Sequence, residues 1–218
     1  MSFEVRNTKS NNLIPVVNDV LLHSAYNPER EAELFAAGQD DILKKNNRIL
    51  VLGLGFGYHI NSLERGLRTL YNNDYHVVVI VPNEQTYRYW SQNFPDQLSS
   101  NVEVFNFKEI EQFFSTRNLI DFLSLKPSIV THFASFNLYE NFFKSFLSFK
   151  YSSKLADNLK FISNDEFRSY LTSAQDQESG PFLESLSRNN HCGEWDFLCM
   201  SLAEIVNYKN PEVSNSND

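Results

Sequence analysis

The sequence predicts an α/β protein: a Rossmann-like, doubly wound and mostly parallel sheet, with a small N-terminal β/helix element and a helical C-terminal extension. Apolar runs of strand length alternate with segments of helical periodicity. The runs at 48–52 and 76–81 are apolar on both faces, as in strands that helices cover on both sides. The first run leads into Gly53, Gly55 and Gly57, which indicates a sharp turn from a strand into a helix.

The elements follow one another with clear boundaries. Residues 1–12 are polar and predict a frayed lead-in, while the two short apolar pieces in 13–22 predict a small β-hairpin or two edge strands. A helix starts at Pro28 with Asn27 as its N-cap, and Gly38 ends it. Further along, the pattern predicts strands at 48–52, 76–81, 102–105 and 128–131, and helices at 59–71, 84–93, 108–114 and 138–149.

The alternation weakens beyond residue 151. A last strand at 159–162 and helices at 182–186 and 195–206 are predicted there, and the final ten residues show no apolar periodicity. We therefore expect a Rossmann-like domain at 13–163, a helical extension at 164–208 and a disordered tail at 209–218.

Composition argues against several classes of protein. The net charge of −8 and the lack of basic runs argue against a nucleic-acid partner. No apolar stretch approaches the roughly 18 residues of a membrane span, and the N-terminus carries no basic-then-apolar signal. The two cysteines, Cys192 and Cys199, form neither a zinc motif nor a disulfide framework. We expect a cytoplasmic protein.

The glycine turn is the first candidate ligand site. Gly53 and Gly55 fit the dinucleotide pattern G-x-G-x-x-G, but Gly57 comes one residue early, a spacing closer to methyltransferases that bind S-adenosylmethionine. Those enzymes carry an acid before the first glycine and another at the end of the next strand, where this chain has Val51 and Val81. Two hypotheses remain open: a nucleotide-like ligand bound at the turn, or a turn that only shapes the fold.

A second candidate site lies in residues 22–33. His23, Tyr26 and Arg30 would reach a ligand if this segment folds over the carboxyl ends of the strands, with His23 as a base and Arg30 as an anion clamp. Alternatively, Arg30 and Glu31 form helix or surface pairs, and Tyr26 packs on the core.

Two further histidines fall beside predicted strand ends. His59 follows the glycines in the first turn of a helix, where the helix dipole favours a neutral imidazole, and His132 follows the strand at 128–131. A structural role is the simpler interpretation of each. No nucleophile–base pair, metal-ligand spacing or phosphate loop is recognisable, so the residues alone predict no catalytic group, metal or cofactor.

Three of these segments resemble a known family. Residues 22–32 (Leu-His-Ser-Ala-Tyr-Asn-Pro-Glu-Arg-Glu-Ala), 51–59 (ending Gly-Tyr-His) and 79–83 (Val-Ile-Val-Pro-Asn) are similar to motifs in the N-terminal domain of the motility-associated-factor family of bacterial flagellin glycosyltransferases and its pterin diphosphokinase-like relatives. The resemblance covers about residues 13–150. Asn27 stands where the family has Asp, and Val81 where it has Glu.

The resemblance implies a functional expectation. Family members continue into a central domain that holds the sugar-nucleotide site, and the remainder of this sequence is too short to match it. We therefore expect a non-catalytic binding or scaffold module in flagellar or surface-protein glycosylation, with flagellin or a separate glycosyltransferase chain as partner. The alternative is a small methyltransferase-like or nucleotide-sugar-binding enzyme that uses the turn. The candidate ligand-binding residues are Gly53, Gly55, Gly57, His59, His23, Tyr26, Arg30 and Asn83.

Overall fold

The computed structural model describes residues 2–162, 164–188 and 193–209. The chain divides into two compact units, Met1–Phe149 and Lys150–Asp218, called here the first and second units. The strands, all in the first unit, are β1 Phe3–Asn7, β2 Leu13–Val17, β3 Val20–Leu21, β4 Arg48–Leu52, β5 His76–Ile80, β6 Val102–Phe105 and β7 Ser128–Thr131. Its helices are α1 Pro28–Ala37, α2 Asp40–Lys45, α3 Tyr58–Tyr71, α4 Glu84–Asn93, α5 Ile110–Phe114, α6 Arg117–Ser124, α7 Phe133–Leu138 and α8 Glu140–Leu147.

The larger sheet is parallel and has the order β6-β5-β4-β7, as the alternation of strands and helices predicts. Val51 of β4 lies opposite Val79 of β5 and Val130 of β7. Successive residues of each strand face opposite sides, so Val51 joins a buried cluster with α3 and α4, whereas Leu50 joins a second cluster with α5, α6 and α8. Helices therefore cover both faces, and the predicted doubly wound α/β fold is confirmed.

The N-terminal sheet is antiparallel with the order β1-β2-β3. The predicted hairpin is present as β2 and β3, but the lead-in is not frayed: β1 pairs along β2, with Phe3 opposite Val17. The sequence of β1 alternates apolar and polar residues over only a few positions, and its ladder forms because β2 supplies the partner.

The helix at 28–37 has the predicted ends. The Asn27 side-chain oxygen accepts a hydrogen bond from the Arg30 N–H at 3.0 Å, and Gly38 follows the last helical residue. Two predicted helices differ from the structure. The segment 108–114 contains only the short α5 and is followed by an unpredicted α6. The helix predicted at 138–149 is present as α8, and the unpredicted α7 precedes it.

The second unit is helical, with α9 Leu155–Asn158, a 3₁₀ turn Leu159–Phe161, α10 Asp165–Thr172, α11 Ser179–Arg188 and α12 Glu194–Lys209. The strand predicted at 159–162 is wrong, since that segment is the 3₁₀ turn. The division at 149 also differs from the predicted boundary at 163, because Leu155 packs with Leu171 and Phe182 of the helical part. The tail is predicted at 209–218, but Lys209 is the last residue of α12, and residues 210–218 lie outside the described residues. Within the described ranges, no helix has the length and apolar character that crossing a membrane requires.

Candidate functional site: a buried histidine cluster

The carboxyl ends of β4 and β7 lie side by side at the point where the strand order reverses. Leu52 is opposite Thr131, and the Leu52 carbonyl accepts a hydrogen bond from the His132 N–H at 3.1 Å. In open α/β sheets, ligands bind in the crevice outside such a switch point. The glycine turn that follows β4 and the histidine that follows β7 therefore share one location.

Neighbouring side chains fill the space over the glycine turn. Gly53 has a φ of +106°, and a β-carbon there would lie 2.3 Å from Ser135 Cβ. Gly55 has a φ of +52°, and a β-carbon there would lie 2.2 Å from His23 Nε2. Gly57 is approached by Gln97 and Trp90. Each of the three glycines thus makes room for another part of the protein.

His23 reaches the turn from the N-terminal segment, as the sequence suggested for residues 22–33. Its Nε2 accepts a hydrogen bond from the Phe56 N–H at 3.0 Å, so the ring proton is on Nδ1, which lies 3.7 Å from Glu31 Oε2. Burial lowers the pKa of His23, and the nearby Glu31 carboxylate opposes this shift. The same Glu31 oxygen accepts a hydrogen bond from the Ser24 N–H at 2.8 Å.

His59 lies in the first turn of α3. Its Nε2 is 3.0 Å from the Gly53 carbonyl oxygen, which only accepts, so Nε2 carries the proton and Nδ1 has the lone pair. Nδ1 is buried and has no hydrogen-bond partner among the described residues. Burial, together with the neighbouring His23, lowers the pKa of His59 to about 3.

His132 completes the cluster from the end of β7. Its Nδ1 lies 2.8 Å from Ser135 Oγ, in the first turn of α7. Burial is the main cause that holds its pKa well below the usual value, and His59 and His23 add to the shift. The rings of His59 and His132 stack with centroids 4.2 Å apart and an interplanar angle of 7°.

Together the three residues form a group of neutral imidazoles, called here the histidine cluster. One potential ligand atom from each lies within 4.8 Å of the others, a grouping that can hold a metal ion. A cavity of about 160 Å³ adjoins the cluster and is lined by His23, Glu31, Ala32, Phe35, His59, His132, Phe133 and Ala134. At neutral pH the cluster offers lone pairs and N–H groups, and no positive charge for an anion.

The structure brings together only part of the predicted site. Gly53, Gly55, Gly57, His23 and His59 lie at or beside the turn. Tyr26, in contrast, is 65% exposed, stacks under the Lys9 ammonium and does not line the cavity, so it does not pack on the core. Arg30 is exposed on α1 and does not line the cavity. His132 was absent from the predicted set, although its position at a strand end was the available signal.

Asn83 caps a helix instead of lining the cavity. It is 7% exposed, and its side-chain oxygen accepts a hydrogen bond from the Thr86 N–H at 2.8 Å, at the start of α4.

We expect Asn83→Ala to destabilise the protein by about 2 kcal/mol, because it removes an N-cap and leaves a buried N–H unpaired. Urea unfolding measures the change. Asn27→Ala is the matched control, since it removes an exposed N-cap, and it should cost only about 1 kcal/mol. Equal losses in the two variants would contradict the role of burial at Asn83.

Comparison with known proteins identifies no family for this chain. No family model matches the chain, and no curated protein matches it. Among solved structures, the chain is similar to the crystal structure of MnmC2 from Aquifex aeolicus, with 13% sequence identity and a TM-score of 0.36. The match covers 73% of this chain and 64% of that chain, so this chain spans less than two thirds of that structure.

Proposed function

We propose that this chain is a non-catalytic binding or scaffold module, related to the N-terminal domain of flagellin-modifying glycosyltransferases and acting in the cytoplasm. Its proposed partner is flagellin or a separate glycosyltransferase chain. The observation that carries the proposal is the filled glycine turn: His23 occupies the position over Gly55 where a nucleotide would approach the backbone.

A bound nucleotide needs free backbone N–H groups and open space at the glycine turn. The Phe56 N–H is used by His23 Nε2, and the same ring stands where a side chain at position 55 would be. The strand ends also lack acidic anchors for a ribose, because Val51 and Val81 are apolar and buried. These features favour a module over the methyltransferase-like alternative.

The contact of His23 with the region of the glycine turn also supports the proposed relationship to flagellin-modifying glycosyltransferases. The Leu-His-Ser motif supplies His23, and the Gly-Tyr-His motif supplies His59, whose ring centroid lies 5.6 Å from that of His23. Two of the three segments on which the resemblance rests are therefore neighbours in space. This contact indicates that both motifs have the same structural role, which is to hold the N-terminal segment against the edge of the sheet.

Ligand screening by thermal denaturation separates the module from the enzyme. We expect S-adenosylmethionine, CMP-sugars and other nucleotides to leave the melting temperature unchanged, because only a ligand that binds the folded state raises it. Adenine and cytidine serve as matched controls for weak stacking. A rise of several degrees with one intact nucleotide, absent with its base or nucleoside, would overturn the proposal.

Partner binding is tested with the full chain immobilised on a sensor surface. Purified flagellin and the purified glycosyltransferase from the same cell are passed over it separately. We expect saturable binding of at least one of them, and competition by the free chain. Failure of both proteins to bind would remove the support for a glycosylation module, whatever the ligand screen shows.

A further inference from the structure

We propose that the histidine cluster binds one divalent transition-metal ion of the zinc class through His23, His59 and His132. This site goes beyond the proposed function and does not depend on it. It rests on three buried imidazoles whose ligand-capable atoms lie within 4.8 Å of one another, contributed by three segments that meet at the switch point of the sheet.

His59 already has the arrangement of a metal ligand. Metal-binding histidines commonly donate their second ring N–H to a backbone carbonyl, which fixes the ring and its tautomer. His59 Nε2 makes this bond to Gly53, and the opposite nitrogen, Nδ1, is buried with no hydrogen-bond partner among the described residues. A buried lone pair without a donor is costly, and a metal ion at Nδ1 removes that cost.

His132 offers its second nitrogen in the same way. When Nδ1–H donates to Ser135 Oγ at 2.8 Å, Nε2 carries a lone pair. The side chain follows directly after β7, and its stacking against His59 keeps both rings in one place. The two ligands His59 and His132 thus lie in the segments that follow two adjacent strands, β4 and β7.

His23 supplies the third ligand when the metal ion replaces the present hydrogen-bond donor of its ring. Its Nδ1–H faces Glu31, an orientation that matches the carboxylate–histidine–metal arrangement of many sites. Its Nε2 lone pair now accepts the Phe56 N–H. Metal binding replaces that hydrogen bond with a metal–nitrogen bond, and the ring then links the N-terminal segment to the sheet through the ion.

Metal binding requires a local movement of the rings. A tetrahedral zinc ion with Zn–N bonds of about 2.0–2.1 Å sets its ligand nitrogens about 3.3 Å apart, less than the 4.8 Å span of the cluster. The stack of His59 and His132 must also open, because lone pairs of two nearly parallel rings do not meet at one point. The adjoining cavity of about 160 Å³ gives the rings room to move.

The donor set selects the type of ion. Neutral imidazoles suit Zn²⁺, Co²⁺, Ni²⁺ and Cu²⁺, whereas Mg²⁺ and Ca²⁺ prefer oxygen ligands. The three histidines are already uncharged at neutral pH, since burial lowers the pKa of each. No proton has to leave an imidazole before the ion binds.

The test is a titration of the full chain, stripped with a chelator, with Co²⁺ alone, followed by displacement with Zn²⁺. We expect one tightly bound ion whose visible spectrum indicates nitrogen and oxygen ligands. His59→Gln and His132→Gln should each weaken binding by at least about 100-fold, as loss of a primary ligand does. The matched control is His76→Gln, which removes a half-exposed histidine paired with Glu103 and should leave the affinity unchanged. Equal affinity in wild type and both cluster variants overturns the proposal.

A measurement on the wild-type chain covers the case in which a variant fails to fold. Imidazole ¹⁵N resonances are followed during addition of Zn²⁺. We expect the Nδ1 resonance of His59 to shift and that of His76 to remain, in step with a higher melting temperature. Unchanged cluster resonances, or a cobalt spectrum dominated by thiolate charge transfer from the cysteines, would show that the ion binds elsewhere and would overturn the site.

Discussion

The first unit is expected to lose about 3 kcal/mol of stability for each pH unit below about 6.5, measured in chelator so that the histidines carry no metal. All three cluster histidines are buried and uncharged in the folded protein, with the pKa of each lowered chiefly by burial. In the unfolded chain they recover the ordinary value of 6.5. Well below that pH the unfolded state holds two more protons at His59 and His132 and a further fraction at His23, and each full proton contributes about 1.36 kcal/mol per pH unit.

The direction follows from where the pKa values lie. The pKa values of the histidines are lower in the folded protein than in the unfolded chain. The stability that the neutral histidines contribute is therefore fully present above pH 6.5 and is lost as the pH falls toward the folded-state pKa, which for His59 is about 3. Glu31 faces His23 and has a lowered pKa, so protonation of its carboxylate lowers the stability further at more acidic pH. With a total stability of about 5–15 kcal/mol, the unit should begin to unfold from about pH 5 downward.

Urea unfolding at about pH 7.5, 6.5 and 5.5 measures how the free energy of unfolding changes with pH. This slope gives the number of protons that the histidine cluster as a whole takes up on unfolding. His132→Gln should reduce the slope by between about one third and one half, whatever its effect on stability at neutral pH. His76→Gln is the control, because that side chain is half-exposed beside Glu103. A slope in His132→Gln that equals the wild-type value would contradict a neutral, buried cluster.

The sheet could be predicted because its strands carry their own signal. Strands β4, β5, β6 and β7 are short apolar runs bounded by polar residues, and their limits agree with the prediction to within one residue. Elements that depend on a distant partner were less visible. Strand β1 forms on the edge of β2, and α7 is separated from α8 at Tyr139 without Pro or Gly to mark the break.

The histidine cluster could be predicted only in parts. Metal motifs are recognised from ligands that are close in sequence, whereas His23, His59 and His132 come from three separate segments. The position of His59 after the glycines and of His132 after β7 placed both at the sheet edge. Which residue fills the turn depends on the path of the N-terminal segment, and the sequence left that question open.

Gly55→Ala is the substitution with the largest expected effect on stability, about 3 kcal/mol or more. An alanine at a φ of +52° adopts a left-handed conformation that costs about 1–2 kcal/mol. Its β-carbon would also lie 2.2 Å from His23 Nε2, so the ring has to leave its place beneath Phe56. The displaced ring leaves the buried Phe56 N–H unpaired, which adds about 1–3 kcal/mol.

Gly180→Ala provides the control. Gly180 lies near the start of α11, and a β-carbon there would have nothing within 4 Å. Alanine is favoured over glycine in a helix by up to about 1 kcal/mol, so this variant should be neutral or slightly stabilised. Denaturant unfolding of both variants at neutral pH gives the comparison.

A double-mutant cycle with His23→Ala identifies the cause of the Gly55 effect. Removing the ring leaves space that the methyl group introduced by Gly55→Ala can occupy, so the double variant should be more stable than the two separate losses imply, by about 1–2 kcal/mol. Additive losses would mean that the ring and the turn do not touch. If Gly55→Ala were tolerated by itself, the space over the turn would be open, and the nucleotide-binding alternative would regain the support that the filled turn now gives to a scaffold module.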